Sequence, residues 1–229
     1  MGPAVGGSDR ARTGRRPTQK TSAAEPDRET RARLLEEART LFAEQGFRHV
    51  TVREICRAAN ANVAAVNYHF GDKQGLYRML IDEAMAIMRQ TSQQAETAGD
   101  GGNAEQRLRA FIRVFLLRVG SKSAPWIHQL MAHELAEPTE ALDDVITQVI
   151  EPRIRYVSQL VADILGAPLD DERVMRCVLS VQSQFHAATD NPVSKRLVPG
   201  FTADPASVDR LAQHIADFSI AGIKSLRRP

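Results

Sequence analysis

Between Thr51 and Lys73 the chain reads TVREICRAANANVAAVNYHFGDK, and few folds accommodate that stretch. Thr51 and Glu54 have the Thr-x-x-Glu spacing of a capping box, which starts a helix immediately after Thr51. Val52, Ile55 and Ala59 then recur at helical spacing and supply one apolar face. Asn60 stands where the chain must turn, and asparagine tolerates the left-handed backbone better than most residues with a Cβ. Asn62 is placed to cap a second helix through its side-chain oxygen. Along that helix Val63, Val66 and Phe70 share a face, while Ala64, Ala65, Tyr68 and His69 point the other way. Two small residues beside two amphipathic rings make a surface that can approach a groove closely. The pattern is a helix-turn-helix over residues 51–70, whose second helix suits the DNA major groove.

On that reading the base-facing surface is Arg53, Ala64, Ala65, Asn67 and Tyr68. Alanines contact only thymine methyls, so hydrogen-bonded discrimination falls on Arg53 and Asn67. Lys73, at the start of the next helix, and His69, at the end of the exposed face, are placed to meet phosphates.

The rest of the chain also reads as helix, with no strand pattern and no repeat. The expected fold is all-α. Residues 28–45 carry Leu34, Leu35, Ala38, Leu41 and Phe42 on one face and stop at Gly46. Asp72 caps a helix from Lys73 to about Glu96, and Asn103 one that reaches Val119. Residues 123–135 form a short helix with Pro125 in its first turn. A stripe through Leu142, Val145, Ile146, Val149 and Ile150 meets Pro152, where a kink or break is expected before it resumes at Ile154. Asp170 or Asp171 then caps a helix running to about Thr189, and Asp204 with Pro205 opens the last. In that last helix Val208, Leu211, Ile215, Phe218, Gly222 or Ile223, and Leu226 make a near-heptad seam suited to a partner helix. Core packing within one subunit is the competing explanation.

Arg10, Arg12, Arg15, Arg16 and Lys20 fall in a segment with no acidic and almost no apolar residue. Residues 1–26 are therefore expected to be a disordered basic arm, either a solvated tail or an extra phosphate and minor-groove contact. Residues 27–75 would be a three-helix DNA-binding domain and 76–229 a helical effector-binding and dimerisation domain, with about nine helices in all. No apolar run is long enough to span a bilayer and no signal-peptide core opens the chain, so a cytoplasmic protein is expected. Met1-Gly2 is not a myristoylation site, because Gly6 replaces the required Ser or Thr. Cys56 and Cys177 make neither a disulfide framework nor a metal site; both read as buried filler.

A catalytic set is not evident. His128 and His133 are five residues apart, which puts them roughly 140° apart around a helix, whereas paired ligands need a spacing of three or four. His186 and Asp190 lie one turn apart without a nucleophile in a recognisable elbow.

The ungapped run through Thr51, Arg53, Ile55, Ala58, Ala59, Val63, Val66, His69, Phe70 and Lys73 resembles the DNA-binding domain of the TetR family of bacterial regulators. Two positions depart from the family habit: Asn60 stands in place of glycine, and the tyrosine falls at Tyr68 with Asn67 before it. The phrases HELAEPTEALDDVI, VIEPRIRYV and LAQHIADFSIAGIKSL resemble the C-terminal domain of the subgroup containing the regulator CecR. The resemblance implies DNA contacts from Thr51, Arg53, Asn62, Ala64, Ala65, Asn67, Tyr68, His69 and Lys73. It also implies a homodimer joined by the last two helices, through Val178, Val181, Leu211, Ile215 and Phe218. Phe111, Phe115, Trp126, Phe185 and Tyr156 fall on helices that enclose an effector pocket in such proteins, with Arg113, His128, Gln129 and Gln182 as its polar groups.

The expectation is thus a homodimeric repressor that binds a palindromic operator in double-stranded DNA and responds to an unidentified small-molecule effector, with no other cofactor, no metal and no membrane. A helical enzyme or small-molecule-binding protein with a helix-turn-helix-like segment is the competing class.

Overall fold

The computed structural model describes residues 24–119, 125–185, 196 and 204–227. Helix α1 spans Ala24–His49, α2 Val52–Ala58, α3 Val63–Phe70, α4 Lys73–Thr97 and α5 Ala104–Val119. There follow α6 (Pro125–Ala136), the single turn α7 (Leu142–Val145), a π-helical turn (Ile146–Ile150), α8 (Glu151–Leu165), α9 (Glu172–Ser183) and α10 (Pro205–Ser225). No strand occurs among the described residues.

Residues 24–26, assigned above to the arm, are the first turn of α1; the remainder of that arm lies outside the described residues. Proline at this point fits, since a first-turn N–H has no helical partner to lose. The helix is interrupted at Gly46, where φ is 77° and ψ 166°. Glycine is required there twice over. The backbone is in a region that L residues avoid, and a Cβ would lie 2.9 Å from Nδ1 of His133 on α6.

Both expected caps of the helix-turn-helix form. Thr51 N donates to Glu54 Oε2 at 2.8 Å, and Glu54 N donates to Thr51 Oγ1 at 3.3 Å. Asn62 Oδ1 accepts from Ala65 N at 2.8 Å, and Asn60 takes the turn with φ 49°. Asp72 Oδ1 caps α4 by accepting from Gly75 N at 2.7 Å. Asn103 and Gln106 cap α5 reciprocally, each bond 3.0 Å.

The kink or break expected at Pro152 takes the form of a widened turn and not of an interruption. The chain widens into the π turn ahead of it, with Glu151 N donating to Ile146 O five residues back, and Pro152 falls in the first turn of α8. A wider turn moves the carbonyl that the proline ring would strike and leaves no unmet N–H. Helix α9 ends at Ser183 rather than near Thr189, a residue outside the described set.

Two apolar cores result. The first gathers Leu34, Ala38, Phe42, Ile55, Val66, Leu76, Leu80 and Ile81 from α1–α4 and takes in Ile127 and Leu130 of α6 and Val145 and Val149 beyond. The second joins α5, α8, α9 and α10 through Leu108, Phe111, Leu116, Val157, Val161, Val178, Val181 and Ile215. Helix α4 supplies residues to both: its first half, including Tyr77, lies in the first core and Ala95 in the second. The polar joint beside the first core is made by Glu134, 1% exposed, which accepts from Tyr77 Oη at 2.6 Å and from Thr139 N and Oγ1 at 2.9 and 2.8 Å. Burial and then the bond to Glu134 push the Tyr77 hydroxyl pKa up, which keeps it a donor.

Candidate nucleic-acid interface

Eight residues of α3 divide cleanly into two stripes. Val66 and Phe70 are buried, and with them half-buried Ala65 packs on the first core. His69 belongs to the same inner stripe: its side chain is 7% exposed, with Nε2 3.5 Å from Asp27 Oδ1 on α1. Ala65 and His69 are one turn apart, as are Val66 and Phe70, so the four make the inward arc. His69 was expected at the end of the exposed face and Ala65 among the base readers; both instead hold α3 against its own domain. Val63, expected inside, is 43% exposed because the first residue of so short a helix overhangs its support.

What remains outward is Ala64, Asn67 and Tyr68, the last 76% exposed. Thr51 and Arg53 lie exposed at the start of α2, and Arg53 has no ion-pair partner among the described residues. Thr51 is committed as a cap, and its hydroxyl donates to Glu54 Oε2 at 2.7 Å. Those bonds hold the Glu54 carboxyl pKa below its ordinary value. Asn62 is likewise committed through its oxygen. Lys73 sits half-buried with Nζ 4.3 Å from the Phe47 ring centre. Its pKa is lowered by desolvation, opposed by the charge of Glu54. A cation at a helix N-terminus works against the macrodipole, so the ring and Glu54 are what hold it there.

The joint between α3 and α4 is tight. A Cβ on Gly75 would lie 2.0 Å from the Phe70 carbonyl oxygen, so the end of α3 and the first turn of α4 are in backbone contact. Nearby, a cavity of about 590 Å³ opens between α4 and the 138–141 loop, lined by Phe47, Gln74, Tyr77, Arg78 and Thr139 among others.

The aromatic residues expected around an effector separate. Phe111 lies 4.5 Å from Phe115 and 6.3 Å from Phe185, and Tyr156 is 5.9 Å from Phe111. Gln182 is half-buried on α9 just before Phe185. Trp126 does not join them: it packs at the first core, with the Arg39 Cζ 5.1 Å from its ring centre. His128 and Gln129 are exposed on α6, and Arg113 pairs at the surface with Asp209 at 2.8 Å. Arg107 and Arg153, which carry no signal in the sequence pattern, lie instead on the rings of Tyr156 and Phe115.

The expected dimer seam divides between the core and the surface. Val178, Val181 and Ile215 are at most 2% exposed and belong to the subunit's own core, with Leu211 half-buried against it. Phe218 is 66% exposed, and on α9 Leu179 and Met175 are exposed at 59% and 45%. Those two lie about 100° around α9 from Val174 and Val178, outside the stripe that fills the core. Both cysteines are buried, free thiols. No cluster of three metal-ligating side chains occurs among the described residues, and no described helix is long and apolar enough to cross a membrane.

A capped helix-turn-helix with a polar outer stripe, wedded through a shared helix to a second helical core, defines a DNA-binding transcriptional regulator. Residues 34–80 match the family model for bacterial regulatory proteins of the tetR family, and residues 104–223 that for the C-terminal domain of the HTH-type transcriptional dual regulator CecR. The chain is 30% identical over 156 residues to CecR of Shigella flexneri, covering 64% of this chain and 70% of that protein. It is 38% identical over 76 residues to the transcriptional repressor AcnR of Corynebacterium efficiens, 33% of this chain and 37% of that one. A TetR-family regulator from Bordetella parapertussis has the same fold, with a TM-score of 0.64 at 15% identity over 82% of this chain and 94% of that one. The chain belongs to the TetR family, with a C-terminal domain of the CecR type.

Proposed function

We propose that the chain is a ligand-responsive repressor that binds a palindromic operator as a homodimer in the cytoplasm. The observation that carries this reading is the division of α3: its inner stripe is spent on packing, which leaves Ala64, Asn67 and Tyr68 to face a groove. Arg53 adds a cation beside them, and Lys73 a phosphate contact at the start of α4. Repression is the direction named for AcnR, whereas CecR is named a dual regulator.

Dimerisation follows from need and from surface. One short recognition helix contacts too few base pairs for specific binding. Met175 and Leu179 on α9 and Phe218 on α10 leave large apolar side chains exposed on two helices that touch each other. Packing those side chains on their two-fold mates would set the spacing of the two α3 helices and so of the half-sites. A ligand held in the second core would act through α4, the helix that reaches both cores and abuts α3 at Gly75.

The test is fluorescence anisotropy of labelled fragments from upstream of the gene, with light scattering on the complex. Saturable binding at micromolar or lower concentration, two chains per symmetric site, is expected. A folded protein that stays monomeric at micromolar concentration, or binds no upstream fragment above random DNA, overturns the reading.

A further inference from the structure

Drawing a guanidinium largely out of water without a carboxylate is costly, and this chain half-buries one beside its aromatic cluster. Arg153 of α8 places its Cζ 5.3 Å from the centre of the Phe115 ring. Its Nε is enclosed and has no hydrogen-bond partner. Among the described residues no carboxylate pairs with it, and burial alone, unopposed, lowers its pKa. One turn along the same face, the hydroxyl of Tyr156 is also enclosed and unpaired. The Nε2 of Gln182, on α9, is a third such atom.

All three border one set of rings. Phe115 stacks on Phe185 at 5.9 Å, Phe185 follows Gln182 by one turn, and Phe111 touches Phe115 and Tyr156. Native proteins seldom leave buried polar atoms unpaired in one place without a reason. Water could serve the hydroxyl and the amide, but it leaves the positive charge uncompensated. A carboxylate answers all of them. It accepts two parallel bonds from a guanidinium, and its remaining lone pairs accept from the Tyr156 hydroxyl and the Gln182 amide. The phenyl rings suit an apolar body attached to it.

We infer that the effector is an organic acid whose carboxylate pairs with Arg153, between α5, α8 and α9, while its apolar body lies among Phe111, Phe115 and Phe185. This rests on the ligand-responsive reading above and adds the charge and the seat of the ligand.

The experiment is calorimetric titration of the full chain with benzoate, naphthoate and decanoate, each against its uncharged amide. At least one acid should bind tenfold or more tightly than its amide. Arg153→Gln should abolish that preference, Arg153→Lys should keep part of it, and Arg113→Gln, at a surface ion pair, should leave it intact. Unliganded Arg153→Gln should melt no lower than the wild type, because the charge it removes has no partner. Circular dichroism checks that each variant is folded; should Arg153→Gln fail to fold, Tyr156→Phe and Gln182→Leu serve, each expected to weaken the acid and not the amide. Amides that bind as well as their acids, a preference that survives these variants, or no binding by any acid would overturn the inference. Equal binding of acid and amide would leave the ligand-responsive reading standing. An acid that binds through Arg153 yet never releases operator DNA would sink that reading and leave the acid site.

Discussion

Gly75→Ala should weaken DNA binding from the joint behind the recognition helix. The new Cβ would sit 2.0 Å from the Phe70 carbonyl oxygen and 3.2 Å from its carbon. Non-bonded atoms prefer about 3.5 Å, so the first turn of α4 must retreat from the end of α3 by more than about 1 Å. That retreat also strains the 2.7 Å bond by which Asp72 Oδ1 accepts from Gly75 N. Overpacking and a weakened cap, partly offset by alanine's better helix propensity, amount to about 1–4 kcal/mol of lost stability. Because α3 is held by its inner stripe, the capped turn from α2 and this joint, the displacement should reach the recognition surface. Operator affinity should fall about tenfold or more, equivalent to about 1.4 kcal/mol. Urea unfolding followed by circular dichroism measures the first effect and anisotropy the second. Gly71→Ala is the control, since nothing lies within 4 Å of its would-be Cβ and only its φ of 82° resists substitution. A Gly75→Ala protein with an unchanged urea midpoint and full operator affinity would refute the reasoning.

Tyr77→Phe should destabilise the chain by about 1–3 kcal/mol, read by urea unfolding, because it removes the buried donor nearest the Glu134 carboxylate. Ile215→Asp should unfold the subunit, whereas Phe218→Glu should leave a folded monomer; light scattering with circular dichroism separates the two outcomes. Lys73→Ala should weaken operator and mutated operators alike and flatten the salt dependence by about one unit, and a loss confined to one base position would contradict the phosphate assignment. Glu54, whose folded pKa is lowered, contributes stability that is present above its ordinary value and is lost as pH falls through the lower folded one. Acid titration of Glu54→Gln by circular dichroism should accordingly lack the part of the wild-type loss that falls in that window.

Local chemistry was legible in the sequence wherever a residue answers to its own backbone. Thr51, Asn60, Asn62 and Asp72 behave as their caps and turn require, because a side chain bonding three residues away needs no knowledge of the rest of the fold. Which neighbour a stripe meets was not legible. The spacing of Leu211, Ile215 and Phe218 marks an amphipathic helix, but helix period is the same for a subunit's own core and for a partner's. Only packing shows Ile215 inward and Phe218 outward. His69 failed for a related reason: a polar ring is assigned to solvent unless a partner such as Asp27 is known to wait for it. Arg153 gave no sign at all, since an arginine on a helix is usually a solvated one.

The wide turn at Ile146–Ile150 has a consequence for how the two cores can vary. Val145 and Val149 before and within it face the first core, and Val157, Leu160 and Val161 after it face the second. Each residue in a five-back turn advances less than the 100° of an ordinary one, so the segment acts as an angular offset between two apolar stripes on one continuous rod. The two stripes therefore run in different phases. Removing one residue from the offset would straighten the ladder and twist α8 relative to its own beginning, setting Val157 and Val161 off the core they fill. The length of this turn is thus a counted quantity, while single substitutions within it need to keep Val149 and Ile150 apolar.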